Sequence, residues 1–85
     1  MSLTWSSRLV REFSAWPASI KARARKQLSL FAENPAHPSL RIKKMGGRSI
    51  VWEGRIARGY RFTFTVSADA YVLRRIGPHD ILKRP

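Results

Sequence analysis

Residues 50–66 read IVWEGRIARGYRFTFTV, and this stretch decides the fold. Two runs rich in aromatic and β-branched residues flank Ala57-Arg58-Gly59, where the glycine can adopt a positive φ. The pattern predicts an antiparallel β-hairpin. Alternation along its strands sorts the side chains onto two faces. One face is predicted to carry the apolar side chains and to form the core: Ile50, Trp52, Ile56, Tyr60, Phe62, Phe64 and Val66.

The opposite face of the hairpin is polar. It carries Glu53, Arg55 and Arg61, and we expect it to be exposed if helices cover the aromatic face. A third strand adds either Arg74 or Arg75, because a slip of one residue in register exchanges the two. Basic groups therefore converge on one face of the predicted sheet.

The rest of the chain supplies two helices and a third strand. Residues 3–5 are compatible with a short strand, and Ser6-Ser7 offers an N-cap for a helix that ends before Pro17. A second helix is predicted over about 18–33, since Ile20, Ala24, Leu28 and Phe31 form an apolar stripe. Prolines break the chain over 34–38, a basic extended segment follows over 39–45 up to a Gly46-Gly47 break, and residues 70–76 form a strand that Gly77-Pro78 ends. The order predicts an α+β domain with helices on one face of a sheet.

Length and composition limit the possible functions. The 85 residues are enough for one domain, spanning 1–85, and 44% of them are hydrophobic, so the chain can form a core. The absence of cysteine excludes a disulfide framework and a thiolate site, and two histidines without clustered carboxylates argue against a metal site. No small-molecule cofactor is predicted. No apolar run approaches the ~18 residues of a membrane span, and the N-terminus lacks the apolar region of a signal peptide, so a cytoplasmic location is expected.

Charge is the strongest compositional feature. Seventeen Lys and Arg against five Asp and Glu give a net charge of +12. Such an excess favours a polyanionic partner: nucleic acid, an acidic protein or an anionic membrane surface. The basic residues are spread along the whole chain rather than confined to a tail. Nucleic acid is therefore the leading class of partner.

The polar face of the hairpin has the groups that metal-independent RNA cleavage needs. A base must take the proton of the attacking 2′-hydroxyl, an acid must protonate the leaving 5′-oxygen, and cations must stabilise the charged phosphorane. Arg55 and Arg61 suit the last role, because guanidinium groups match phosphate oxygens and stay protonated. His79 and Glu53 are the available acid–base groups, whereas His37, in a loop between two prolines, is a poorer candidate. Four further residues are predicted to bind RNA: Lys43, Lys44, Arg74 and Arg75.

A purely structural interpretation of these residues is also available. Glu53 can pair with Arg55 or Arg61 across the strands, which is common on exposed sheet faces. A single histidine near a C-terminus, such as His79, is more often a surface residue than a catalyst. Both interpretations remain open on the sequence alone.

Several segments of the chain resemble the RelE/ParE superfamily of bacterial toxins from type II toxin–antitoxin modules. The similarity covers nearly the whole chain, and the order and spacing of the segments are more specific than any one of them. They are the basic second helix, Asn34-Pro35, LRIKKMGG (40–47), VWEGRI (51–56), YRFTF (60–64) and IGPHD (76–80).

The resemblance implies a β-α-α-β-β-β fold, with two N-terminal helices on one face of a three- to four-stranded antiparallel sheet. It also implies ribosome-dependent cleavage of mRNA, which inhibits translation until a cognate antitoxin neutralises the toxin. The expected partners are thus the antitoxin, mRNA and the ribosome with its rRNA, without membrane or cofactor.

The resemblance further assigns roles to residues. In the RelE and YoeB-like branches an arginine at the position of Arg61 contacts the scissile phosphate, and a basic residue at that of Arg55 assists. The YoeB-like branch has a C-terminal histidine that matches His79, but a tyrosine follows it where this chain has Asp80. Its general-base glutamate lies in an upstream loop where this chain has no acidic residue, and Glu53 stands where RelE-like enzymes tend to carry lysine. The general base is therefore unassigned.

Two alternative functions follow from the same residues. The ParE branch shares the fold, lacks this set of groups and poisons DNA gyrase, so a gyrase inhibitor is the main rival within the superfamily. A non-catalytic nucleic-acid-binding module would also explain the charge, and its binding would weaken steeply with salt.

Overall fold

A computed structural model describes residues 2–46 and 50–85 of the chain. A short strand and two helices come first, followed by strands and two 3₁₀ turns. The elements are β1 (Ser2–Trp5), α1 (Ser7–Ser14), α2 (Ala18–Glu33), the first 3₁₀ turn (Pro38–Leu40), β2 (Lys43–Lys44), β3 (Trp52–Ala57), β4 (Tyr60–Val66), β5 (Ala70–Pro78) and the second 3₁₀ turn (His79–Lys83). Gly47, of the predicted Gly46-Gly47 break, lies outside the described residues.

The strands form one mixed sheet in the order β1-β5-β4-β3-β2. Strands β3, β4 and β5 are consecutive and antiparallel, as predicted. The α+β class and the β-α-α-β-β-β order are confirmed, but the sheet has five strands, and β1 lies parallel to β5. The additional strand is β2, which pairs with β3 over two residues and is too short to show an alternating pattern in the sequence.

Helix α1 begins where the sequence predicts. Ser6 is its N-cap, and its Oγ accepts a hydrogen bond of 3.1 Å from the N–H of Leu9. The same hydroxyl donates to the backbone oxygen of Arg74 at 2.8 Å. The start of α1 is therefore fixed to the edge of β5.

Helix α2 covers the aromatic face of the sheet. Its bounds match the prediction, and Ala24, Leu28 and Phe31 of the predicted stripe are buried. The ring of Phe31 lies 5.2 Å from that of Phe62 and 4.7 Å from that of Phe64, measured between centroids. These tilted contacts combine burial of large apolar area with favourable ring geometry. The core thus lies between α2 and the hairpin.

A glycine on β3 makes room for this aromatic core. Gly54 lies opposite Phe62, and a Cβ at position 54 would collide with the Phe62 ring and come within 2.7 Å of Ile42 Cδ1. Two predictions for the core face of the hairpin are wrong: Ile50, before β3, is 72% exposed, and Val66, at the end of β4, is 52% exposed. The turn is as predicted, since Ala57 pairs with Tyr60 and Gly59 adopts a φ of +80°.

Strand β5 differs from its prediction in length and in register. It continues through Gly77-Pro78 and pairs with β4 up to Tyr60. Pro78 is the last residue of the strand, where its missing N–H is tolerated. A bulge lies between the pairs Thr63–Arg75 and Phe64–Leu73, so that Arg74 is the extra residue.

An ion pair joins α1 to the part of β5 that extends beyond its pairing with β1. The Glu12 carboxylate accepts hydrogen bonds from Arg75 Nη2 at 2.6 Å and Nε at 3.1 Å, and from the backbone N–H of Ile76 at 3.3 Å. Both charged side chains are mostly buried. Glu12 therefore satisfies a strand edge and a guanidinium group together.

Replacing Gly54 by alanine should destabilise the fold, because the added methyl group overlaps the Phe62 ring. We expect the free energy of unfolding to fall by about 1–3 kcal/mol, the usual effect of overpacking a core. Urea denaturation measures the change. Gly46→Ala is the matched control, since no atom of the described residues, its chain neighbours aside, lies within 4 Å of a Cβ at that position. Equal stability of the two variants would contradict the packing argument.

Replacing Glu12 by alanine should also destabilise the fold, because it leaves Arg75 and the Ile76 N–H without their acceptor. We expect a loss of about 1–3 kcal/mol in the free energy of unfolding. Glu33→Ala, at the exposed end of α2, removes the same charge without a described hydrogen bond or ion pair and should change it by less than about 0.5 kcal/mol. Thermal unfolding of the two variants side by side tests the difference.

Candidate nucleic-acid interface

The β-register places most of the predicted site residues on the polar face of the sheet. One row of paired residues runs across four strands, from Lys43 through Glu53 and Thr63 to Arg75. In a second row, Arg55 lies directly opposite Arg61. The two arginines that were expected to contact phosphate are therefore cross-strand neighbours.

Glu53 is buried on this face. Its residue exposure is 8%, and Lys43 Nζ lies 3.9 Å from its Oε1, whereas the Lys43 side chain is exposed. The structure thus shows an ion pair with Lys43 rather than with either arginine. A buried, paired carboxylate is poorly placed to take a proton from a substrate hydroxyl. Lys44, the neighbour of Lys43, is exposed at the sheet edge.

The sequence predicted an exposed polar face. In the structure this face is partly covered, because the C-terminal segment (residues 79–85) lies across it. Ile81 is buried, and a Cβ on Gly77 would come within 2.5 Å of its Cγ2. Thr63 Oγ1 donates to the backbone oxygen of Pro85 at 3.1 Å and is fully buried. The sequence could not show this, because the segment has no regular pattern that would assign it to a surface.

The sequence predicted that either Arg74 or Arg75 lies on the polar face. In the structure, with the bulge at Arg74, both side chains contact the C-terminal segment. Arg74 Nε donates to the backbone oxygen of Pro85 at 3.2 Å, and Arg75 Nη1 donates to that of Arg84 at 3.1 Å. Arg75 also holds Glu12. Their guanidinium groups therefore help to fix the C-terminal segment in place.

Arg61 is partly occupied by the hairpin turn. Its Nη1 donates to the backbone oxygens of Ala57 at 3.2 Å and Tyr60 at 3.0 Å. His79 meets the same turn through its backbone N–H, which donates to the Gly59 oxygen at 2.9 Å, and its side chain is exposed. Among the described residues no hydrogen bond or ion pair joins the His79 ring to Arg55 or Arg61.

A second feature, which we call the basic groove, lies at the outer edge of β3. Its volume is about 740 Å³. Its walls are α2, the loop and first 3₁₀ turn that follow α2, and β3. The lining residues are Arg23, Lys26, Gln27, Leu30, His37, Pro38, Ser39, Arg41, Arg55 and Ile56.

The groove exists because β2 is short. β2 pairs with β3 only at Trp52 and Glu53, so the edge of β3 beyond them faces the loop and α2 instead of a strand. Gln27, buried in α2, bridges these walls: its Nε2 donates to the backbone oxygen of Arg55 at 3.0 Å and lies 3.5 Å from that of Ser39. The buried amide thereby fixes the spacing between the walls.

Positive charge is concentrated in the groove. Four lining residues are cationic and none is a carboxylate. The pKa of Arg55 lies below its usual value, first because of the positive charge of Arg41, then through partial loss of hydration and the charges of Arg61, Arg23 and Arg58. Guanidinium groups nonetheless remain protonated. Mutual repulsion of this kind is relieved by a bound anion, so the groove suits a polyanion.

Sequence reasoning missed most of this groove. It did not single out Arg23 and Lys26 within the basic second helix, and it ranked His37 below His79 and Glu53. One signal was present: Arg23, Lys26, Gln27 and Leu30 follow the i, i+3, i+4, i+7 spacing of a single helix face. Nothing in the sequence indicated that Arg41 and Arg55 would lie near that helix face. The loop that follows α2 has no periodic pattern, so the sequence does not show how it brings the helix and β3 together.

Neither a bilayer-spanning helix nor a cluster of metal-ligating side chains occurs in the described part of the chain. No helix there is both long and apolar enough to cross a membrane. No three side chains of His, Cys, Asp or Glu there lie close enough together to hold a metal ion.

The structure of this chain is similar to known proteins, although its sequence matches none of those compared. No protein-family model matches the sequence, and no curated protein matches it. Solved structures do match: the YoeB/ParE toxin from Agrobacterium tumefaciens has a TM-score of 0.77 and 18% identity, and covers 93% of this chain and 99% of its own. YafQ from E. coli strain BL21(DE3) has a TM-score of 0.77 and 9% identity, and the match covers 95% of this chain and 96% of the YafQ chain.

A third similar structure includes a partner. It is the RelB–RelE antitoxin–toxin complex from Methanococcus jannaschii, with a TM-score of 0.75, 18% identity and 95% of each chain covered. Near-complete coverage of both chains means that the whole domain is shared. The resemblance seen in the sequence is thus confirmed at the level of the fold: this chain has the fold of the RelE, YoeB and YafQ toxins.

Proposed function

We propose that this chain is the toxin of a type II toxin–antitoxin module and cleaves mRNA on the ribosome. The reaction is a metal-independent attack of a 2′-hydroxyl on the adjacent phosphodiester, which inhibits translation. The toxin fold and the resemblance of the sequence to RelE and YoeB-like enzymes support the class of protein. The chemistry of the basic groove and of its neighbour Arg61 supports the substrate.

One observation carries the proposal: Arg55 lines the basic groove and also lies opposite Arg61. A phosphodiester held there would meet guanidinium groups from two strands. Charge builds on the phosphorane oxygens in the transition state, and fixed cations stabilise it more than they stabilise the ground state. Eleven described Lys and Arg residues outside the groove and Arg61 could bind RNA weakly, but a specific reaction needs cations at fixed positions, as Arg55 and Arg61 are on paired strands.

The backbone of Arg41 gives a second, independent support. Arg41 has a φ of 47° and a ψ of 46°, which is left-handed and unusual for a residue with a side chain. This conformation costs roughly 1–2 kcal/mol and commonly occurs where a side chain has to be held at a functional site. Here it ends the first 3₁₀ turn, with the Arg41 N–H donating to the Pro38 oxygen at 3.2 Å, and it brings the Arg41 side chain to the groove beside Arg55.

An antitoxin is the proposed protein partner. The RelB–RelE structure is a complex of a toxin of this fold with its antitoxin. A chain of net charge +12 favours an acidic partner segment, which would compete with RNA for the same cations. mRNA and rRNA are the proposed nucleic-acid partners, and the cytoplasm is the proposed location.

Replacing Arg55 by alanine should abolish most of the cleavage, because it removes the guanidinium group shared by the groove and the Arg55–Arg61 pair. We expect a fall in rate of about 100-fold or more, as for loss of one transition-state donor. The measurement is mapping of mRNA ends after incubation with programmed ribosomes.

The matched control for this experiment is Arg11→Ala. Arg11 is exposed on α1, which packs on β5, whereas the groove lies at the outer edge of β3. It therefore tests loss of one positive charge away from the groove. Intact mRNA with the unsubstituted protein, together with accumulation of cleaved DNA–gyrase complexes, would instead favour gyrase inhibition; salt-sensitive binding without any cleavage would favour a non-catalytic module.

Replacing Arg41 by glycine should separate stability from activity. Glycine adopts the left-handed conformation without strain but increases the entropy of the unfolded chain, so the free energy of unfolding should stay within about 1 kcal/mol of the original. Cleavage should fall by about 10-fold or more, because the groove loses a cation. Arg41→Lys keeps the charge and should retain more activity than Arg41→Gly. Unchanged cleavage by Arg41→Gly would show that this side chain does not contact the substrate.

A further inference from the structure

We propose that His37 is the general base of the reaction, taking the proton of the attacking 2′-hydroxyl within the basic groove. The inference rests on the proposed function and deepens it. It moves the proton-transfer step from the polar face of the sheet, where His79 and Glu53 were expected to act, to the groove at the edge of β3.

Location is the first argument. His37 lines the same groove as Arg41 and Arg55, so a phosphodiester bound to these arginines in the groove would lie in the same cavity as His37. Of the residues that line the groove, His37 alone has a side chain that ordinarily titrates near neutral pH. A general base works best when its proton affinity is close to the working pH.

The hydrogen bonds of the ring are the second argument. His37 Nδ1 accepts from the backbone N–H of Ser39 at 3.2 Å and lies 2.9 Å from Ser39 Oγ. Among the described residues, no hydrogen bond is made at Nε2. These contacts fix the ring at the N-cap of the first 3₁₀ turn.

Ser39 can serve both protonation states of the ring. When Nδ1 carries no proton, it accepts from the Ser39 N–H; when Nδ1 is protonated, it can donate to Ser39 Oγ. In the second arrangement the neutral ring has its lone pair on Nε2, ready to accept a proton. The imidazolium that results still has an acceptor for Nδ1–H, so neither state leaves that nitrogen without a partner.

The alternative bases are less well placed. Glu53 is buried and ion-paired with Lys43. His79 lies at the hairpin turn, outside the set of residues that line the groove. Lys26 lines the groove, but an ammonium group ordinarily keeps its proton at neutral pH.

The reaction balances with water as the only other reactant. Nε2 of His37 takes the 2′-hydroxyl proton as the 2′-oxygen forms a bond to phosphorus and the bond from phosphorus to the 5′-oxygen breaks. Water protonates the departing 5′-oxygen, and the hydroxide so formed takes the proton back from the imidazolium. The products are a 2′,3′-cyclic phosphate and a 5′-hydroxyl, and Arg41 and Arg55 stabilise the phosphorane charge.

The pH dependence of cleavage gives a specific signature. The charged side chains that line the groove with His37 are Arg23 and Lys26 from α2, Arg41 from the loop and Arg55 from β3. Lysine and arginine side chains ordinarily keep their protons through the range in which a histidine titrates. The rate should therefore rise with pH as the general base loses its proton, and then level off.

The test compares the unsubstituted protein with His37→Asn and His79→Asn under single-turnover conditions on programmed ribosomes. Asparagine keeps an acceptor for the Ser39 N–H at the N-cap but cannot titrate. We expect His37→Asn to lower the rate by about 100-fold or more, to lower it more than His79→Asn does, and to lose the rise with pH.

A second measurement uses His37→Gly with added imidazole. The free base should restore part of the cleavage of this variant, with a pH dependence that follows imidazole, whereas a purely structural role of His37 would give no such rescue. Thermal unfolding of each variant confirms that it is folded.

The outcomes distinguish this inference from the proposed function. If the unsubstituted protein cleaves mRNA, three results would overturn the role of His37 and leave the proposed function standing. They are an undiminished rate or unchanged pH profile for His37→Asn, a larger loss of rate for His79→Asn, and no rescue of His37→Gly by imidazole. Failure of the unsubstituted protein to cleave mRNA on ribosomes overturns the proposed function, and the role of His37 with it.

Discussion

The packing of α2 on the hairpin is the interaction on which the rest of the structure depends. Phe31 meets Phe62, Phe64 and Tyr71, and Gly54 allows the Phe62 ring to lie over β3. This contact fixes the rotation of α2 about its own axis, because its buried face must point to the sheet. The same rotation turns Arg23, Lys26 and Gln27 towards the edge of β3. Core packing thus determines which cations of α2 face the groove.

The groove is a second consequence of the same arrangement. A longer β2 would have continued to pair with β3 and filled the space between the strand edge and α2. With β2 limited to two residues, the open edge is satisfied by Gln27 and bordered by the loop that carries His37 and Arg41. An open strand edge normally invites aggregation, and concentrated positive charge beside it is one of the ways in which proteins prevent this. The cations that suit RNA also protect the edge.

The sequence predicts elements with strong local signals and misses features created by the assembly of the fold. Gly59 in the turn, Ser6 as N-cap and the stripe on α2 act through neighbours in the chain, so their patterns are visible. The bulge at Arg74, the cover that the C-terminal segment (residues 79–85) forms over Thr63 and the ion pair of Glu12 with Arg75 join residues 9 to 63 positions apart. The arginine pair of the hairpin was predicted because it follows from alternation along the strands. His37 was set aside because its position depends on where the loop after α2 folds back, which no local pattern shows.

The crowding of Arg55 by Arg41, Arg61, Arg23 and Arg58 has a consequence for the effect of salt. Dissolved ions screen repulsion among the five guanidinium groups, so added salt should make the unbound protein harder to unfold. The same ions would compete with the proposed nucleic-acid partner for these groups, so added salt should release that partner. Ionic strength would therefore act in opposite directions on the stability of the free fold and on that of the proposed complex. A bound polyanion would replace salt as the stabilising counter-charge, and repulsion among these guanidinium groups would then be weakest in the proposed complex.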